Sequence, residues 1–298
     1  MAAPCGRVRV SDAPGMSSLW CFGEALVDQF AGGECVPGGA PFNVAWHLHG
    51  FGLRPTLVTR LGCDDNGDRI REAMRAWGLA MDGVQADAAR PTGRVHVELR
   101  DGEPAYRIDA PSAYDAITAP GGDGPDVLYH GTLALRSHTS RRTCRALCGT
   151  AGVQRFVDVN LRAPFWERGQ VLASLEGARW VKCSQTELSA LMAEDAPTDT
   201  AIQRFRQRLG VAELLVTQGE HGARLYGESA GPLAIAPDEA VIVEDTVGAG
   251  DAFAAAFLAH ALRGLPAESC LARAQAFASR IVALRGAVAM QPSLYTLG

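Results

Sequence analysis

The amino-acid sequence predicts an α/β fold, in which a largely parallel β-sheet is covered by helices on both faces. The main observation is that short β-prone runs alternate with helix-like segments along most of the chain. The helix-like segments end at glycine, and the composition, with 47% hydrophobic and 20% charged residues, is that of an ordinary globular domain. Ligands of such sheets bind at the carboxyl ends of the strands, so functional residues are expected directly after them.

Six β-prone runs form the predicted sheet, and a seventh precedes an Ala-rich helix near the end of the chain. The six lie at residues 19–23, 55–60, 126–130, 155–159, 179–182 and 213–217, and the seventh at residues 239–244. Helices are predicted between these runs from their apolar periodicity and from Gly78, Gly210 and Gly264, which act as stop signals. The predicted helices occupy residues 69–77, 139–148, 201–209 and 252–262.

The segment at residues 92–110 interrupts this alternation. Two runs of alternating polarity, at residues 93–100 and 105–108, flank a turn-rich connector. This pattern predicts a β-hairpin. Such a hairpin either extends the edge of the main sheet or forms a small separate sheet that closes over a site, and the residues alone leave both alternatives open.

Charge and hydropathy argue against nucleic acid and a membrane as partners. The net charge of −5 provides no basic field for nucleic acid, and no apolar run reaches membrane-spanning length. The chain shows no internal repeat, low-complexity tract or linker, so residues 19–298 are expected to form one domain. Residues 1–18 contain no secretion signal and are expected to be a disordered tail.

The eight cysteines are scattered without a Cys-x-x-Cys pair, and several lie in apolar segments. We therefore expect reduced thiols and a cytoplasmic location. Cys144 and Cys148 lie one turn apart on a predicted helix but lack matching partners for zinc, and no histidine of the chain shows ligand spacing.

The stretch Asp-Thr-Val-Gly-Ala-Gly-Asp-Ala-Phe, at residues 245–253, is a predicted strand-to-helix turn. Gly248 and Gly250 allow backbone N–H groups to converge at a helix N-terminus, where an anion is favoured, and Asp251 lies beside that point. The same pattern is also typical of a tight turn followed by a carboxylate that stabilises the helix dipole.

A second stretch, at residues 37–45, has paired glycines followed by an asparagine. Gly38 and Gly39 allow the backbone to approach a ligand closely, and Asn43 offers both a donor and an acceptor. An ordinary loop with Asn43 near a helix start is the alternative.

Together these stretches resemble the two signatures of the ribokinase-like carbohydrate kinases, also called the PfkB family. The Gly-Gly-Ala-Pro-x-Asn-Val-Ala form at residues 38–45 is the one that fructokinases typically show, and the resemblance extends over about residues 19–290. It implies a three-layer α/β sandwich with a small β-sheet lid formed by residues 27–36 and 92–110. The chain has neither a Walker-type phosphate loop nor a Rossmann glycine motif after its first strand.

The resemblance also implies roles for individual residues. Sugar contacts are expected from Asp28, Gly38, Gly39, Asn43 and Arg162. For Asp28 a solvated loop acid is the alternative, and for Arg162, in the Asp-x-Asn-x-Arg segment, a buried structural ion pair.

The nucleotide is expected beside Ser184, Thr217, Gly219, Gly222, Gly248 and Gly250, although a simple turn explains Gly219 and Gly222 almost as well. Ser184 replaces the asparagine that the family usually has at this position. Glu187 is expected to organise Mg²⁺ through water, with an ordinary first-turn helix acid as the alternative.

The implied activity is the transfer of the γ-phosphoryl group of ATP to a sugar hydroxyl, most typically of fructose. Asp251 is the expected general base, and the N–H groups around Gly248, Ala249 and Gly250 are expected to stabilise the transferred group. Mg²⁺ and a monovalent cation such as K⁺ are the expected ions. The alternative substrates are 2-keto-3-deoxygluconate, ribose and a nucleoside. A non-catalytic sugar sensor is the alternative of another class, and the family suggests a homodimer through the lid.

Overall fold

The computed structural model describes residues 18–296 except 31, 101–102, 230 and 238–242, together with the side chains of these residues except at 98–100 and 103–105. Its strands are β1 (Leu19–Phe22), β2 (Leu26–Phe30), β3 (Cys35–Gly38), β4 (Thr56–Gly62), β5 (Val84–Asp87), β6 (Gly93–Arg100), β7 (Glu103–Ile108), β8 (Val127–His130), β9 (Gln154–Asp158), β10 (Trp180–Ser184), β11 (Glu213–Thr217), β12 (Ala223–Tyr226) and β13 (Leu233–Ile235). Its helices are α1 (Ala40–Gly50), α2 (Asp65–Trp77), α3 (His138–Cys148), α4 (Arg168–Leu175), α5 (Gln185–Met192), α6 (Asp199–Arg208), α7 (Ala249–Ala261) and α8 (Ala267–Ile281).

Within the described residues, nine strands form the central sheet in the order β5-β4-β1-β8-β9-β10-β11-β12-β13. The strands from β5 to β11 are parallel, and β12 and β13 add an antiparallel edge. The predicted, largely parallel sheet is therefore confirmed. The carboxyl ends of the parallel strands lie along one edge, where loops from distant parts of the sequence meet.

Alternate residues of each strand pack on opposite faces of this sheet. Leu19 and Cys21 of β1 join the core beneath α1, α2, α7 and α8, whereas Trp20 and Phe22 join the core beneath α3. The remaining helices, α4, α5 and α6, cover the second face beside α3. This is a three-layer sandwich, with helices on both faces as the sequence predicts.

A second, separate sheet has the order β3-β2-β6-β7. The predicted hairpin is β6 and β7, which pair antiparallel, and β6 also pairs in parallel with β2. The hairpin therefore belongs to a small separate sheet and does not extend the main one. Because β2 begins at Leu26 and β3 ends at Gly38, this sheet is somewhat larger than the predicted segment at residues 27–36.

Parts of two predictions lie outside the described residues. Residues 1–17 of the expected tail and residues 239–242 of the predicted seventh strand are among them. Ser18 is described, and its N–H donates a hydrogen bond of 2.7 Å to the Asp126 carboxylate, which attaches it to the start of β8. None of the described helices combines the length and apolarity needed to cross a membrane.

Candidate active site

The turn before α7 places a helix N-terminus at the carboxyl edge of the central sheet. Gly248 has a φ of 79°, and a Cβ at this position would lie 2.5 Å from the Cβ of Ala287, so the turn requires glycine. The N–H groups of Gly250 and Asp251 belong to the first helical turn, which has no intrahelical carbonyl partners. The N–H of Ala249, in contrast, points at the carbonyl of Thr246, 3.3 Å away.

Asp251 lies in this first turn and is joined to the other end of the sequence. Its Oδ2 accepts a hydrogen bond of 2.8 Å from Nδ2 of Asn43, which lies near the start of α1. Burial raises the pKa of Asp251, while the charge of Lys182, the Asn43 hydrogen bond and the charge of Arg162 act in the opposite direction. The structure thus brings the catalytic candidate and the glycine-asparagine signature together.

Lys182 is a central cation of the site that the sequence patterns did not single out. Its Nζ lies 2.9 and 3.0 Å from the two oxygens of Asp158, which also accepts a hydrogen bond from Tyr129 at 3.2 Å. A Cβ added to Gly250 would lie 2.9 Å from the same Nζ, so the ammonium also borders the first turn of α7. Burial by itself would lower the pKa of Lys182, but the charges of Asp158, Glu187 and Asp251 raise it.

One signal in the sequence could have identified Lys182. The chain contains 28 Lys and Arg residues, and Lys182 is the only lysine among them. It also lies between the apolar residues Val181 and Cys183 of β10, where it is 6% exposed. Every other basic residue of this kind is arginine, so the use of lysine here indicates a space that admits a compact ammonium but not a planar guanidinium.

Glu24 is the second residue that the motifs did not single out. It follows β1, is 2% exposed, and its Oε2 has no hydrogen-bond partner among the described residues. Burial, reinforced by the charge of Asp251, raises its pKa to about 7. A buried carboxyl beside the candidate base, with an unpaired oxygen, is suited to accept a hydrogen bond from a hydroxyl of a polar ligand.

The small sheet contributes Asp28 from the middle of β2. Its Oδ2 packs over Gly38, where a Cβ would lie 2.7 Å from that oxygen. Burial raises the pKa of Asp28 to about 6, and Arg162 acts in the opposite direction. Gly39 has a φ of 105° and lies between the end of β3 and the start of α1. The Oδ1 of Asn43 is buried without a partner among the described residues, so Asn43 retains an acceptor while its donor is used by Asp251.

Arg162 lies on the loop after β9 and is exposed. Its Nη1 donates to the carbonyl of Leu161 at 3.2 Å, and its charge acts on Glu24, Asp28 and Asp251. The alternative of a buried structural ion pair is therefore wrong. The exposed guanidinium is close enough to act on all three of these carboxyls.

Glu187 and Ser184 form a capping box at the start of α5. Glu187 accepts hydrogen bonds of 2.7 Å from the N–H groups of both Ser184 and Leu161, and Ser184 Oγ accepts one of 3.2 Å from the N–H of Glu187. Glu187 therefore links the loop after β9 to the end of β10. Ser184 serves as a helix cap, a role that serine and asparagine fill about equally well.

The donor set around Lys182 is compatible with a magnesium ion. Three carboxylates act on this single ammonium, namely those of Asp158, Glu187 and Asp251. Each oxygen of Glu187 has one backbone donor and retains a lone pair. Carboxylate oxygens and water are the ligands that Mg²⁺ prefers.

Of the predicted nucleotide residues, Thr217 ends β11, two strands away from Asp158. It pairs with Ser184 at the end of the neighbouring strand β10. Gly222 has a φ of 85°, and a Cβ there would lie 1.9 Å from the carbonyl oxygen of Ile235, while the N–H of Gln218 donates to the Gly222 carbonyl at 2.7 Å. A tight turn is thus sufficient reason for glycine at 222. Gly219, with a φ of 58°, lies in the same turn.

Comparison with known proteins adds independent information. The model of the family described as pfkB family carbohydrate kinase matches residues 17–294. A fructokinase of Klebsiella pneumoniae is 31% identical over 266 residues, which cover 83% of this chain and 86% of that protein.

Two solved structures confirm the fold. An uncharacterized sugar kinase of Pyrococcus horikoshii, solved in complex with ATP, has a TM-score of 0.78 at 25% identity and covers 90% of this chain and 93% of that chain. A double mutant of the fructokinase of Vibrio cholerae, solved with fructose, ADP and a potassium ion, has a TM-score of 0.82 at 24% identity, covering 94% of this chain and 97% of that one.

Proposed function

The chain belongs to the pfkB family of carbohydrate kinases, and on this premise we propose that it transfers the γ-phosphoryl group of ATP to a hydroxyl of fructose. The observation that carries the proposal is the hydrogen bond between Asn43 and Asp251, which joins the two family signatures at the N-terminus of α7. A sugar held by Asn43 would present its hydroxyl to the neighbouring carboxylate of Asp251. That is the geometry general base catalysis requires.

Asp251 takes the proton of the attacking hydroxyl in this mechanism. The raised pKa of Asp251 makes it a stronger base than an exposed aspartate, although it must be deprotonated to act. The first-turn N–H groups of Gly250 and Asp251, together with the Lys182 ammonium that borders Gly250, stabilise the negative charge on the transferred group. Gly248 supplies the turn that directs these groups, and Ala249 contributes no free donor in this arrangement.

Sugar recognition falls to residues of both sheets. Asp28 on the small sheet and Asn43 beside it accept hydrogen bonds from sugar hydroxyls. The unpaired oxygen of Glu24 accepts another. Gly38 and Gly39 keep the backbone close to the ligand. Arg162, at the solvent side of the cleft, approaches the sugar or the phosphates.

The nucleotide lies along the ends of β10 and β11 in this proposal, bordered by Ser184, Thr217, Gly219 and Gly222. Glu187 would hold Mg²⁺ through water, and the bound ion would neutralise charge on the phosphates. A monovalent cation such as K⁺ is part of the proposal because the V. cholerae fructokinase structure contains one.

Fructose is preferred over other sugars because of the relatives' names and of the Gly-Gly-Ala-Pro form at residues 38–41. The alternatives are 2-keto-3-deoxygluconate, ribose and a nucleoside, since one or two pocket side chains can change the substrate.

We further propose one kinase domain over residues 19–298, with the small sheet as a lid, and a cytoplasmic location. Phe30 and Tyr106 are 38% and 57% exposed on the lid strands, which favours a homodimer through this sheet.

A coupled ADP-release assay with fructose, ribose, 2-keto-3-deoxygluconate and adenosine tests the substrate. We expect the largest kcat/KM with fructose, and a kcat lower by roughly 10²–10⁴ in an Asp251→Asn preparation made in parallel. A larger value with another acceptor would replace fructose by that acceptor. Measurable sugar binding without ADP release from any acceptor would favour the sensor.

A further inference from the structure

A second cluster of chemically active side chains lies between β8 and α3, on the sheet face opposite α7. It consists of His130, which ends β8, and of Cys144 and Cys148, one turn apart on α3. Their ligand atoms all lie within 4.8 Å of one another. The expectation that the two cysteines lack partners for zinc is therefore wrong, because the partner comes from a neighbouring strand and no sequence spacing reveals it.

The orientation of the His130 ring is fixed. Its Nδ1 lies 3.0 Å from the carbonyl oxygen of Gly131, so Nδ1 carries the proton and donates it to that carbonyl. The lone pair of Nε2 then points towards Cys148, whose Sγ is 3.9 Å away. A backbone carbonyl that holds the far nitrogen of a histidine is the usual outer partner of a metal-ligating imidazole.

The cluster faces a cavity of about 100 Å³, which all three residues line. His130 and Cys144 are 1% and 2% exposed, while Cys148 is partly exposed. A volume of this size holds several water molecules, so an ion at the cluster has both an entry route and space for a further ligand.

We propose that His130, Cys144 and Cys148 bind one zinc ion, with a water from the cavity as the fourth ligand. Zinc takes four nitrogen and sulfur ligands at about 2.0–2.3 Å in a tetrahedron, which places neighbouring ligand atoms roughly 3.3–3.8 Å apart. The 3.9 Å between Nε2 and Sγ of Cys148 needs little adjustment to reach this spacing. Thiolate and imidazole ligands also exclude Mg²⁺ and Ca²⁺, which require oxygen.

The charge around the cluster is consistent with this ligand set. Arg155 lies close enough to act on both thiols, and Arg145 on that of Cys144. Zinc bound to two thiolates and a neutral imidazole carries no net charge, so it places no additional cation beside these arginines. The two thiol protons leave to solvent when the metal binds.

Cobalt(II) titration of the metal-free, full-length protein tests the proposal, because tetrahedral cobalt with thiolate ligands has intense visible and near-ultraviolet bands. We expect these bands to saturate at one ion per chain and to disappear when one equivalent of Zn²⁺ is added. Cys148→Ala and His130→Gln should abolish the bands, whereas Cys63→Ser, at an exposed cysteine, should leave them unchanged.

A thermal measurement keeps the test valid if a buried variant folds poorly. Zn²⁺ should raise the Tm of the wild-type chain and of Cys63→Ser, but should leave that of Cys148→Ala unchanged. Absent cobalt bands in the wild type at an excess of metal would overturn the proposal, as would full bands in His130→Gln. Neither readout depends on phosphoryl transfer, so this inference and the proposed function fail separately.

Discussion

Nδ2 of Asn43 donates a hydrogen bond of 2.8 Å to Oδ2 of Asp251 across a sequence separation of 208 residues. The bond joins α1, which follows the small sheet, to α7, which follows the turn at Gly248. Both elements pack together over the same face of the central sheet. The position of the base is thereby coupled to the element that bears the sugar-binding candidates.

Removal of this bond should shift the pH dependence of catalysis. The Asn43 N–H stabilises the charged form of Asp251, so Asn43→Ala should raise the pKa of Asp251 further. Because the base must be deprotonated, the acidic limb of kcat should move to higher pH. The KM for the sugar should rise as well, since an acceptor is lost. An acidic limb at the wild-type position would show that another group controls it.

Asp251→Asn should lower kcat by roughly 10²–10⁴, the usual contribution of a general base. The KM for fructose should change little, because the amide keeps the shape of the side chain and can still contact Asn43. Steady-state kinetics with a pyruvate kinase and lactate dehydrogenase coupling system measures both constants. Near-normal turnover would remove Asp251 from the mechanism.

Lys182 should not tolerate arginine, although the charge is retained. The space beside Gly250 admits an ammonium, and a guanidinium there would displace either the first turn of α7 or Asp158. We expect Lys182→Arg to lower kcat by at least about 10-fold, as for a lost electrostatic contact in a transition state. Arg263→Lys, which exchanges the same two residue types just beyond the far end of α7, is the matched control. Wild-type kinetics in Lys182→Arg would contradict this account of the single lysine.

Lys182→Met should also reveal the cost of an unpaired buried charge. Asp158 is fully buried, and without the ammonium its carboxylate would cost about 3–5 kcal/mol of stability. The double variant Lys182→Met/Asp158→Asn removes both charges and should recover most of this loss in urea unfolding, while kcat stays low. Equal stability of the single and the double variant would show that the unpaired Asp158 carboxylate carries no such cost.

The raised pKa of Glu24 should make the free energy of unfolding depend on pH in an unusual direction. Its folded pKa of about 7 lies above the unfolded value of about 4.3, so between these values the folded state binds more protons than the unfolded state. This carboxyl therefore lowers the free energy of unfolding as the pH rises from about 4.3 to 7. Glu24→Gln should remove this loss and be more stable than wild type at pH 8, by up to roughly 3 kcal/mol, but not at pH 4.

Urea unfolding of Glu24→Gln and wild type across this pH range measures the difference. Glu34→Gln, at an exposed carboxyl, controls for the removal of a negative charge. A stability difference for Glu24→Gln that does not grow between pH 4 and pH 8 would contradict the raised pKa.

Regular elements could be predicted from the sequence wherever apolar periodicity is strong. The run at residues 213–217 has the bounds of β11, and α2 ends at Trp77 as expected. The start of α2 was placed at Arg69, four residues late, because the apolar face begins there. Asp64 in fact caps the helix by accepting a hydrogen bond of 2.9 Å from the N–H of Gly67.

The site could be predicted only where the chain carries a local motif. The glycine turns and Asp251 lie in such motifs, whereas Lys182 and Asp158 are 24 residues apart and meet because β9 and β10 pair in parallel. His130 and the cysteines of α3 meet because α3 packs over the sheet face that contains β8. Parallel pairing brings side chains together through a register that no short pattern encodes.

The burial of Lys182 has a practical consequence for chemistry on this protein. Because the chain has no other lysine, amine-reactive reagents find only this side chain and the α-amino terminus. The side chain is shielded and held by Asp158, so acylation at Lys182 requires the site to open. The rate of Lys182 labelling, followed by mass spectrometry with and without sugar and nucleotide, would therefore report how often the active site opens.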